Sequence, residues 1–194
     1  MLQTGIAKDH DLIVNEGALY LGSFSNITAT DEFITSLNDK ALGAFKDKLG
    51  IAAKPKVRQI KNAAGLEKGW QVIDEWEVKV TGTLLDFNSS LLETSLFKKV
   101  TEGQTTKYVA NLGFIEESQY KDALIVGIGL DGKPVIVLVK DVLNKEGLGF
   151  ELKGKDEAGF KISLENAYAG QKVNPVEVYP NFKEMEKVQA EKVQ

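Results

Sequence analysis

The sequence predicts a mainly β protein with one or two helices. Three observations support this class: apolar and polar residues alternate over residues 69–86, several apolar runs of strand length follow residue 107, and helical spacing is confined to two short stretches. Successive side chains of a strand point to opposite faces, whereas a helix returns to the same face about every 3.6 residues. A length of 194 residues fits one domain with an arm.

The N-terminal third mixes strand and helix signals. Residues 12–24 predict a strand or a hairpin, with Asn15-Glu16-Gly17 as the turn. Residues 31–49 carry apolar side chains at steps of three and four, but Gly43 interrupts the pattern, so helix and loop remain alternatives there. Residues 55–63 predict a short strand.

The longest strand signal covers residues 69–86. Its predicted apolar face consists of Trp70, Val72, Trp76, Val78, Val80 and Leu84. At about 3.3 Å per residue the segment would extend on the order of 50 Å, so we expect either a break near Asp74 or a projection beyond one compact domain. We expect the two tryptophans to pack in the core, the alternative being a platform for stacking on a sugar or base.

A helix is predicted after this segment. Asn88 or Ser89 is suited to cap its first turn, and the leucine spacing carries it to about Lys99. The chain ends in residues 171–194, where two prolines and a highly charged tail predict an extended arm.

The C-terminal half predicts a series of strands, at residues 107–115, 122–130, 134–142, 148–153 and 159–168. Asp131-Gly132 predicts a two-residue hairpin turn that would place Ile128 opposite Val135. Both faces of this hairpin are apolar, so we expect a second sheet, a helix or a neighbouring chain to cover each of them.

Composition argues against several functional classes. The chain has no cysteine, one histidine and one arginine, with a formal charge of −4. Thiolate sites and two-histidine metal sites are therefore excluded, and reading of nucleic acid by arginine is almost unavailable. No apolar run approaches the roughly 20 residues of a transmembrane helix.

Three local patterns are weak as sites. Asp9-His10-Asp11 fits a solvated turn better than a metal site, because no second histidine exists. Gly127-Ile128-Gly129 lacks the third glycine and the helix of a dinucleotide fingerprint. Glu75 and Glu77, beside Asp74, have no predicted apolar pocket and fit a solvated face better than an acid/base pair. We therefore predict no enzyme activity, no cofactor and no metal.

Several motifs together resemble a known family. They are Asn15-Glu16-Gly17-Ala18-Leu19-Tyr20-Leu21-Gly22, Val57-Arg58-x-Ile60, Val72-Ile73-Asp74-Glu75-x-Glu77 and Thr81-Gly82-Thr83-Leu84-Leu85-Asp86, followed by the hairpin, a strand with Phe160, Ile162 and Leu164, and Pro175 and Pro180. This order resembles the major tail tube protein of long-tailed bacteriophages that infect Gram-positive hosts. The motifs are structural and span most of the chain, with residues 24–54 as the weakest match.

The resemblance implies a two-sheet β-sandwich or distorted barrel with a flanking α-helix and extended terminal arms, as in the inner tubes of injection machines. Residues 1–170 would form the tube domain and residues 171–194 a C-terminal arm. Six copies would close into a ring, and rings would stack into a virion tail tube, assembled in the host cytoplasm, through which DNA passes without specific binding. Expected partners are other copies of the chain, a tape-measure protein, and terminator or baseplate proteins.

The resemblance also suggests roles for individual residues. A long loop or helix at residues 25–55 would contact the next ring, and residues 1–11 and 171–194 would tie neighbouring subunits together. The candidate inter-ring residues are Phe33, Leu37, Phe45 and Lys54. The candidate arm contacts are Val176, Val178, Tyr179 and Phe182. The candidate lumen-facing residues, on the polar face of the long strand, are Glu75, Glu77, Lys79, Thr81 and Thr83.

Two other hypotheses stay open. One is a stand-alone β-sandwich module that binds a ligand such as a sugar. Exposed tryptophans and a concave acidic face would favour this hypothesis. The other is a different virion ring protein of related fold, a tail terminator or a baseplate component.

Overall fold

The computed structural model describes residues 14–25, 27, 33, 35–37, 41–43, 45–61, 68–85, 88–129, 134–153, 156–167 and 173–180. These residues form ten strands, a short helix and one 3-10 turn at Glu117–Gln119, with two further helical residues at Phe33 and Thr35. The strands are β1 Val14–Gly22, β2 Phe45–Gln59, β3 Gln71–Leu84, β4 Phe97–Glu102, β5 Thr105–Ala110, β6 Lys121–Gly129, β7 Pro134–Asn144, β8 Gly149–Lys153, β9 Asp156–Asn166 and β10 Val176–Tyr179. The helix, α1, is Ser89–Thr94.

The fold is mainly β and sandwich-like, as the sequence predicts, and it is not a closed barrel. The large sheet has the order β1-β6-β7-β9-β3-β2, with β10 beside β7 and β8 beside β9. The strands β4 and β5 form a separate two-stranded sheet. All strand pairs are antiparallel.

A bend in β7 lets the large sheet fold over itself. Asp141 has φ +51°, and an irregularity in the β6–β7 pairing coincides with it. The carboxylate of Asp122 accepts hydrogen bonds from the backbone N–H groups of Asp141, at 3.2 Å, and Phe24, at 3.0 Å. Beyond the bend β7 pairs with β9, so one strand belongs to both halves of the sandwich.

The two halves enclose one hydrophobic core. Its buried residues come from β1, β3, β6, β7, β9 and α1, together with Leu42 before β2. They include Leu19, Leu21, Val78, Val80, Leu84, Leu91, Ile125, Val142, Ile162 and Leu164. A second cluster covers the opposite face of β6 and β7, with Leu124, Ile136 and Leu138 packed against Phe24 and Leu37. The prediction that both hairpin faces are covered is confirmed, and segments of the same chain provide the cover.

The predicted helix exists but is shorter than expected. Asn88 is its N-cap, since its side-chain oxygen accepts from the Leu91 N–H at 3.1 Å. The helix ends at Thr94, not near Lys99, because Leu96 adopts a left-handed φ of +65° and β4 begins at the next residue.

Two N-terminal predictions were wrong. Asn15-Glu16-Gly17 is not a turn but part of the continuous strand β1, with a register irregularity between Val14 and Glu16. Residues 45–55, assigned to a loop or helix, belong to the strand β2, and the predicted strand at 55–63 is its second half. Phe33 and Thr35 are helical, so helix spacing was informative only before residue 45.

The β6–β7 hairpin forms with a register one residue away from the prediction. Ile128 pairs with Pro134, not Val135, and Val126 pairs with Ile136. Five residues instead of six therefore lie between Ile128 and its partner. The shift exchanges the two faces of β7 relative to β6, because strand side chains alternate. The turn at Asp131-Gly132 lies outside the described residues.

The predicted C-terminal arm contains a strand. Residues 176–179 form β10, which pairs with β7 of the same chain, while residues 181–194 lie outside the described residues. The N-terminal arm, residues 1–11, also lies outside them.

Gly82 allows close packing in the middle of β3. A Cβ placed there would lie 2.8 Å from the Phe45 ring, which packs on the core. We expect Gly82→Ala to lower the free energy of unfolding by about 1–3 kcal/mol, because the ring must move. Urea unfolding measures this. Gly149→Ala is the control, since nothing lies within 4 Å of its new Cβ. Equal effects of the two substitutions would contradict the packing described.

Candidate functional site

The most unusual feature is a two-stranded ribbon that projects from the sheet. Pairing of β3 with β9 stops at Lys79–Glu165, while pairing of β3 with β2 continues to Gln71–Gln59. The Asn166 side chain closes the junction, accepting from the Val78 N–H at 2.8 Å and donating to the Trp76 carbonyl at 3.2 Å. Residues 71–78 thus extend about 25 Å with β2 as their one strand partner among the described residues. This is the projection that the sequence offered as an alternative to a break.

A β-bulge at Asp74 rearranges the faces of the ribbon. Lys56 pairs with Glu75 and Val57 pairs with Ile73, so Asp74 is the extra residue. One extra residue reverses the alternation beyond it. Ile73 therefore shares a face with Val57 and Trp76, while Val72 lies opposite Arg58 on the other face.

One face of the ribbon is apolar and exposed. We call it the apolar arm face, and it consists of Ile51, Ala53, Pro55, Val57, Ile73 and Trp76. Val57 is 53% exposed and Ile73 is 49% exposed. Toward the sheet the same face continues into Val78 and Val80, which are buried in the core. The hydrophobic core is thus extended outward as a surface that no described part of the chain covers.

The expected burial of the tryptophans was wrong. Trp70 is 42% exposed and Trp76 is 37% exposed. Val78, Val80 and Leu84 are buried as predicted. The difference follows from β9, which reaches only as far as Lys79 and leaves the outer part of β3 without a layer above it.

The opposite face of the ribbon carries cross-strand ion pairs. Lys56 bonds both Glu75 and Glu77, the latter at 2.6 Å. The Arg58 Nε lies 3.0 Å from the Asp74 Oδ2. The hydrogen bond from Lys56 lowers the pKa of Glu77, and the bonds to Glu75 and Glu77 raise the pKa of Lys56. Glu77 is thus held as the ionised partner of a cation, which suits a structural role better than proton transfer.

The five candidate lumen residues do share a face. Glu75, Glu77, Lys79, Thr81 and Thr83 alternate along β3 on the side away from the apolar arm face. Lys79 lies 3.0 Å from Glu146 and 3.2 Å from Glu165, and the bond to Glu146 raises its pKa. The face is charged in both signs and largely self-paired.

The candidate inter-ring residues are not together on a surface. Leu37 is buried and Phe33 half-buried in the cluster beneath β6 and β7, and Phe45 packs on the main core. Lys54 alone of the four is exposed, on β2 opposite Glu77. A contact with another subunit by Leu37 would require the subunit to open.

The candidate arm contacts are divided. Val176 packs against the main core and Tyr179 against the second cluster, whereas Val178 is 51% exposed. Glu177 accepts hydrogen bonds from Lys140 and Tyr179, and the Tyr179 bond raises the pKa of that phenol to about 12. Phe182 lies outside the described residues. The described part of this arm is therefore bound to its own subunit.

The sequence reading missed a second exposed apolar feature. Residues 107–115 were predicted as one strand, but β5 ends at Ala110 and a loop follows. In this loop Leu112 is 92% exposed and Phe114 is 98% exposed, on either side of Gly113 with φ +99°. The signal available in the sequence was Leu112-Gly113-Phe114, a glycine between two large apolar residues. It was overlooked because these residues were included in the predicted strand 107–115.

We expect Lys56→Ala to raise the pKa of Glu77 toward its ordinary value, because the cation that favours the ionised form is removed. The lowered pKa means that Glu77 stabilises the ribbon above the ordinary glutamate pKa, and that this contribution is lost as the pH falls through the lowered value. A carbon-detected NMR titration measures the shift. Lys107→Ala, which removes an exposed pair with Glu102 elsewhere, should leave Glu77 unchanged. An unaltered Glu77 titration in Lys56→Ala would contradict the pairing.

Other site classes find no support within the described ranges. They contain no group of three potential metal ligands. They also contain no helix long and apolar enough to span a bilayer. Asp9-His10-Asp11 lies outside them.

Comparison with models of known protein families gave no match, and comparison with curated proteins gave no relative.

Proposed function

We propose that this chain is a structural subunit of a bacteriophage tail tube, which assembles into hexameric rings that stack into a hollow conduit for the genome. The apolar arm face carries this proposal. A contiguous exposed apolar surface on a folded chain marks a protein interaction site. Val57, Ile73 and Trp76 of this face lie within motifs on which the family resemblance rests, whereas Ile51 and Ala53 lie in its weakest part.

The ribbon also has open strand edges. Within the described ranges, β2 has β3 as its one strand partner, and the outer half of β3 has none on its other side. Such edges favour pairing with another chain, and a closed ring of subunits removes them. The cross-strand ion pairs keep the ribbon in one register while its other face remains available.

The polar face of β3 fits the wall of a DNA conduit. Three cations on or beside this face each lie within ion-pair distance of a carboxylate: Lys79 of β3, Lys56 of β2 and Lys145 after β7. Binding of DNA requires clustered cations that release counterions, and paired cations beside carboxylates supply little of this. Glu75, Glu77, Lys79, Thr81 and Thr83 therefore remain our candidates for the lumen.

Sedimentation velocity over a series of concentrations and salt conditions tests self-assembly. We expect large species whose size grows with protein concentration. They should persist at high salt, because an apolar interface is insensitive to salt screening. A single monomer boundary under all conditions would contradict the proposal. A tail terminator or baseplate component would form single rings, whereas a tube subunit would form stacks of variable length.

One observation favours a second function, a module that binds a sugar. Both tryptophans are exposed, and Trp76 belongs to the apolar arm face. Tryptophan fluorescence during titration with oligosaccharides tests it. A saturable change that is lost in Trp76→Ala, in a protein that stays monomeric, would favour the module over the tube.

A further inference from the structure

We propose that a cavity on the polar face of β3 binds inorganic phosphate. The cavity has a volume of about 340 Å³ and is lined by residues of β2, β3, β9 and the turn that follows β7. Its polar side chains are Lys48, Lys79, Thr81, Thr83, Glu146, Lys161 and Ser163. The inference goes beyond the proposed tube function and does not depend on self-assembly.

A buried hydroxyl without a partner points to a ligand in this cavity. Ser163 is 3% exposed, and among the described residues its Oγ is the one buried side-chain oxygen or nitrogen that makes no hydrogen bond. Such atoms are rare, because burying a polar group without a hydrogen bond is unfavourable. Ser163 pairs with Thr81, so its side chain lies on the polar face and lines the cavity. An oxygen atom of a bound ligand would satisfy the hydroxyl.

The charges of the cavity favour an anion. Lys48, Lys79 and Lys161 line it, against one carboxylate, that of Glu146. Lys79 is paired with Glu146 and Glu165, whereas Lys48 makes no ion pair with another described residue. Lysine ammonium groups and neighbouring hydroxyls are donors that suit the oxygen atoms of a small oxyanion.

The carboxylate of Glu146 selects among oxyanions. It accepts a hydrogen bond from Lys79 at 3.0 Å. The pKa of Glu146 is lowered, first by this bond and second by the Ser163 hydroxyl, which lies close by without completing a hydrogen bond, so the carboxylate is ionised at neutral pH. An ionised carboxylate accepts from a P–OH group and repels an anion that has no proton. Inorganic phosphate keeps such a proton at neutral pH, whereas sulfate and the phosphodiesters of DNA have none.

The two selective groups are held in place by one buried residue. The Asn144 amide donates to the Gly147 carbonyl at 2.6 Å, and the Gly147 N–H donates to the Asn144 carbonyl at 3.1 Å, which fixes the turn that bears Glu146. The side-chain oxygen of Asn144 also accepts from the Ser163 N–H at 3.3 Å. Positions fixed before a ligand arrives reduce the entropy cost of binding.

The site is compatible with the proposed tube wall. Lys79, Thr81 and Thr83 are candidate lumen residues, and they also line the cavity. Bound phosphate would add negative charge to this face and so repel passing DNA. Because Glu146 disfavours phosphodiesters, the cations of the cavity would hold a small ion and not the genome.

Isothermal titration calorimetry in phosphate-free buffer at neutral pH tests the site. We expect saturable binding of one phosphate per subunit, at least about 10-fold tighter than binding of sulfate. Ser163→Ala should weaken phosphate binding at least about 10-fold, because a hydrogen bond to a charged ligand is lost. Ser118→Ala is the matched control, since it removes an exposed hydroxyl in the 3-10 turn and should bind phosphate as the wild type does.

Two further measurements separate the roles of Ser163 and Glu146. Without phosphate, Ser163→Ala should unfold at no lower urea concentration than the wild type, because its hydroxyl has no partner to lose. Glu146→Gln should bind phosphate and sulfate about equally, because an amide can donate to either anion. Glu102→Gln, which replaces an exposed, ion-paired carboxylate of β4, should keep the preference for phosphate.

A lack of saturable binding at millimolar phosphate would overturn the inference. Unchanged binding in Ser163→Ala, or a marked loss of its stability without phosphate, would do the same. Equal binding of sulfate and phosphate by the wild type would contradict the selection by Glu146. Displacement of phosphate by a short DNA duplex would overturn the choice of ligand and would also contradict a wall to which DNA does not adhere. Sedimentation velocity tests self-assembly separately, so failure of the phosphate site leaves the ring model standing.

Discussion

Replacing Val57 and Ile73 together by glutamate is expected to give a folded monomer that no longer assembles. Both side chains are about half exposed and directly opposite each other, so the free subunit should lose no more than about 1 kcal/mol of stability. In an assembled state the same two carboxylates would be buried without partners, at a cost of several kcal/mol. The expected result is therefore a large loss of association with little change in folding. Sedimentation velocity and thermal unfolding measure the two effects.

The matched control places the same charges on another exposed cross-strand pair. Thr101 and Thr106 lie opposite each other on β4 and β5, and both are exposed. Thr101→Glu with Thr106→Glu should assemble as the wild type does. Normal assembly of the Val57 and Ile73 variant would show that the apolar arm face is not an interface.

Replacing Asn144 by alanine is expected to lower the free energy of unfolding by about 3 kcal/mol. Asn144 is fully buried where β7 meets β9. Its amide donates to the Ser95 hydroxyl at 2.9 Å and to the Gly147 carbonyl at 2.6 Å, and it accepts from the Ser163 N–H at 3.3 Å. Removing the Asn144 side chain leaves buried polar groups without partners, and each such group lowers the free energy of unfolding by about 1–3 kcal/mol. The midpoint of thermal unfolding should fall by roughly 6–12 °C.

Asn174→Ala is the control for this substitution. Asn174 is exposed beyond the sheet, so its replacement should change the stability by less than about 0.5 kcal/mol. If Asn144→Ala cost as little, the buried hydrogen bonds would not be holding the junction between the two halves of the sandwich. The Asn144 variant would also show whether the junction is needed for assembly.

The sequence predicted what depends on local pattern. Alternation along residues 69–86 gave one continuous strand, and Asn88 is the N-cap that its position before the leucines indicated. Both faces of the 122–142 region are apolar, and this correctly indicated that each face is covered. These features depend on residues near each other in the chain, which is why they can be predicted from the sequence.

What the sequence did not predict depends on long-range pairing. The bulge at Asp74 adds one residue, and so it reverses the face of every residue beyond it without changing the composition. Exposure of Trp76 follows from where β9 stops, about 90 residues along the chain, and alternation carries no information on that. Phe45 was assigned to a loop or helix because its strand partner, Leu84, is distant in sequence.

The candidate site was predicted only in part. The polar face of β3 was identified from the sequence, with its five residues on one side. The apolar arm face was not identified, because Trp76 was expected in the core and Ile51, Ala53 and Pro55 were assigned to a loop or helix. Deleting residues 25–55 would be a poor test of ring stacking, because it would remove buried Leu37 and Leu42 and most of β2. Substitutions of surface residues are the better test.

Electron microscopy of the concentrated, purified protein tests the central claim most directly. If the chain is a tube subunit that assembles through its apolar arm face, the images should show rings with a hollow centre and stacks of rings. The Val57→Glu, Ile73→Glu variant, prepared in the same way, should show none. A field of uniform monomer-sized particles from the wild-type protein, at every concentration and salt condition, would contradict the account.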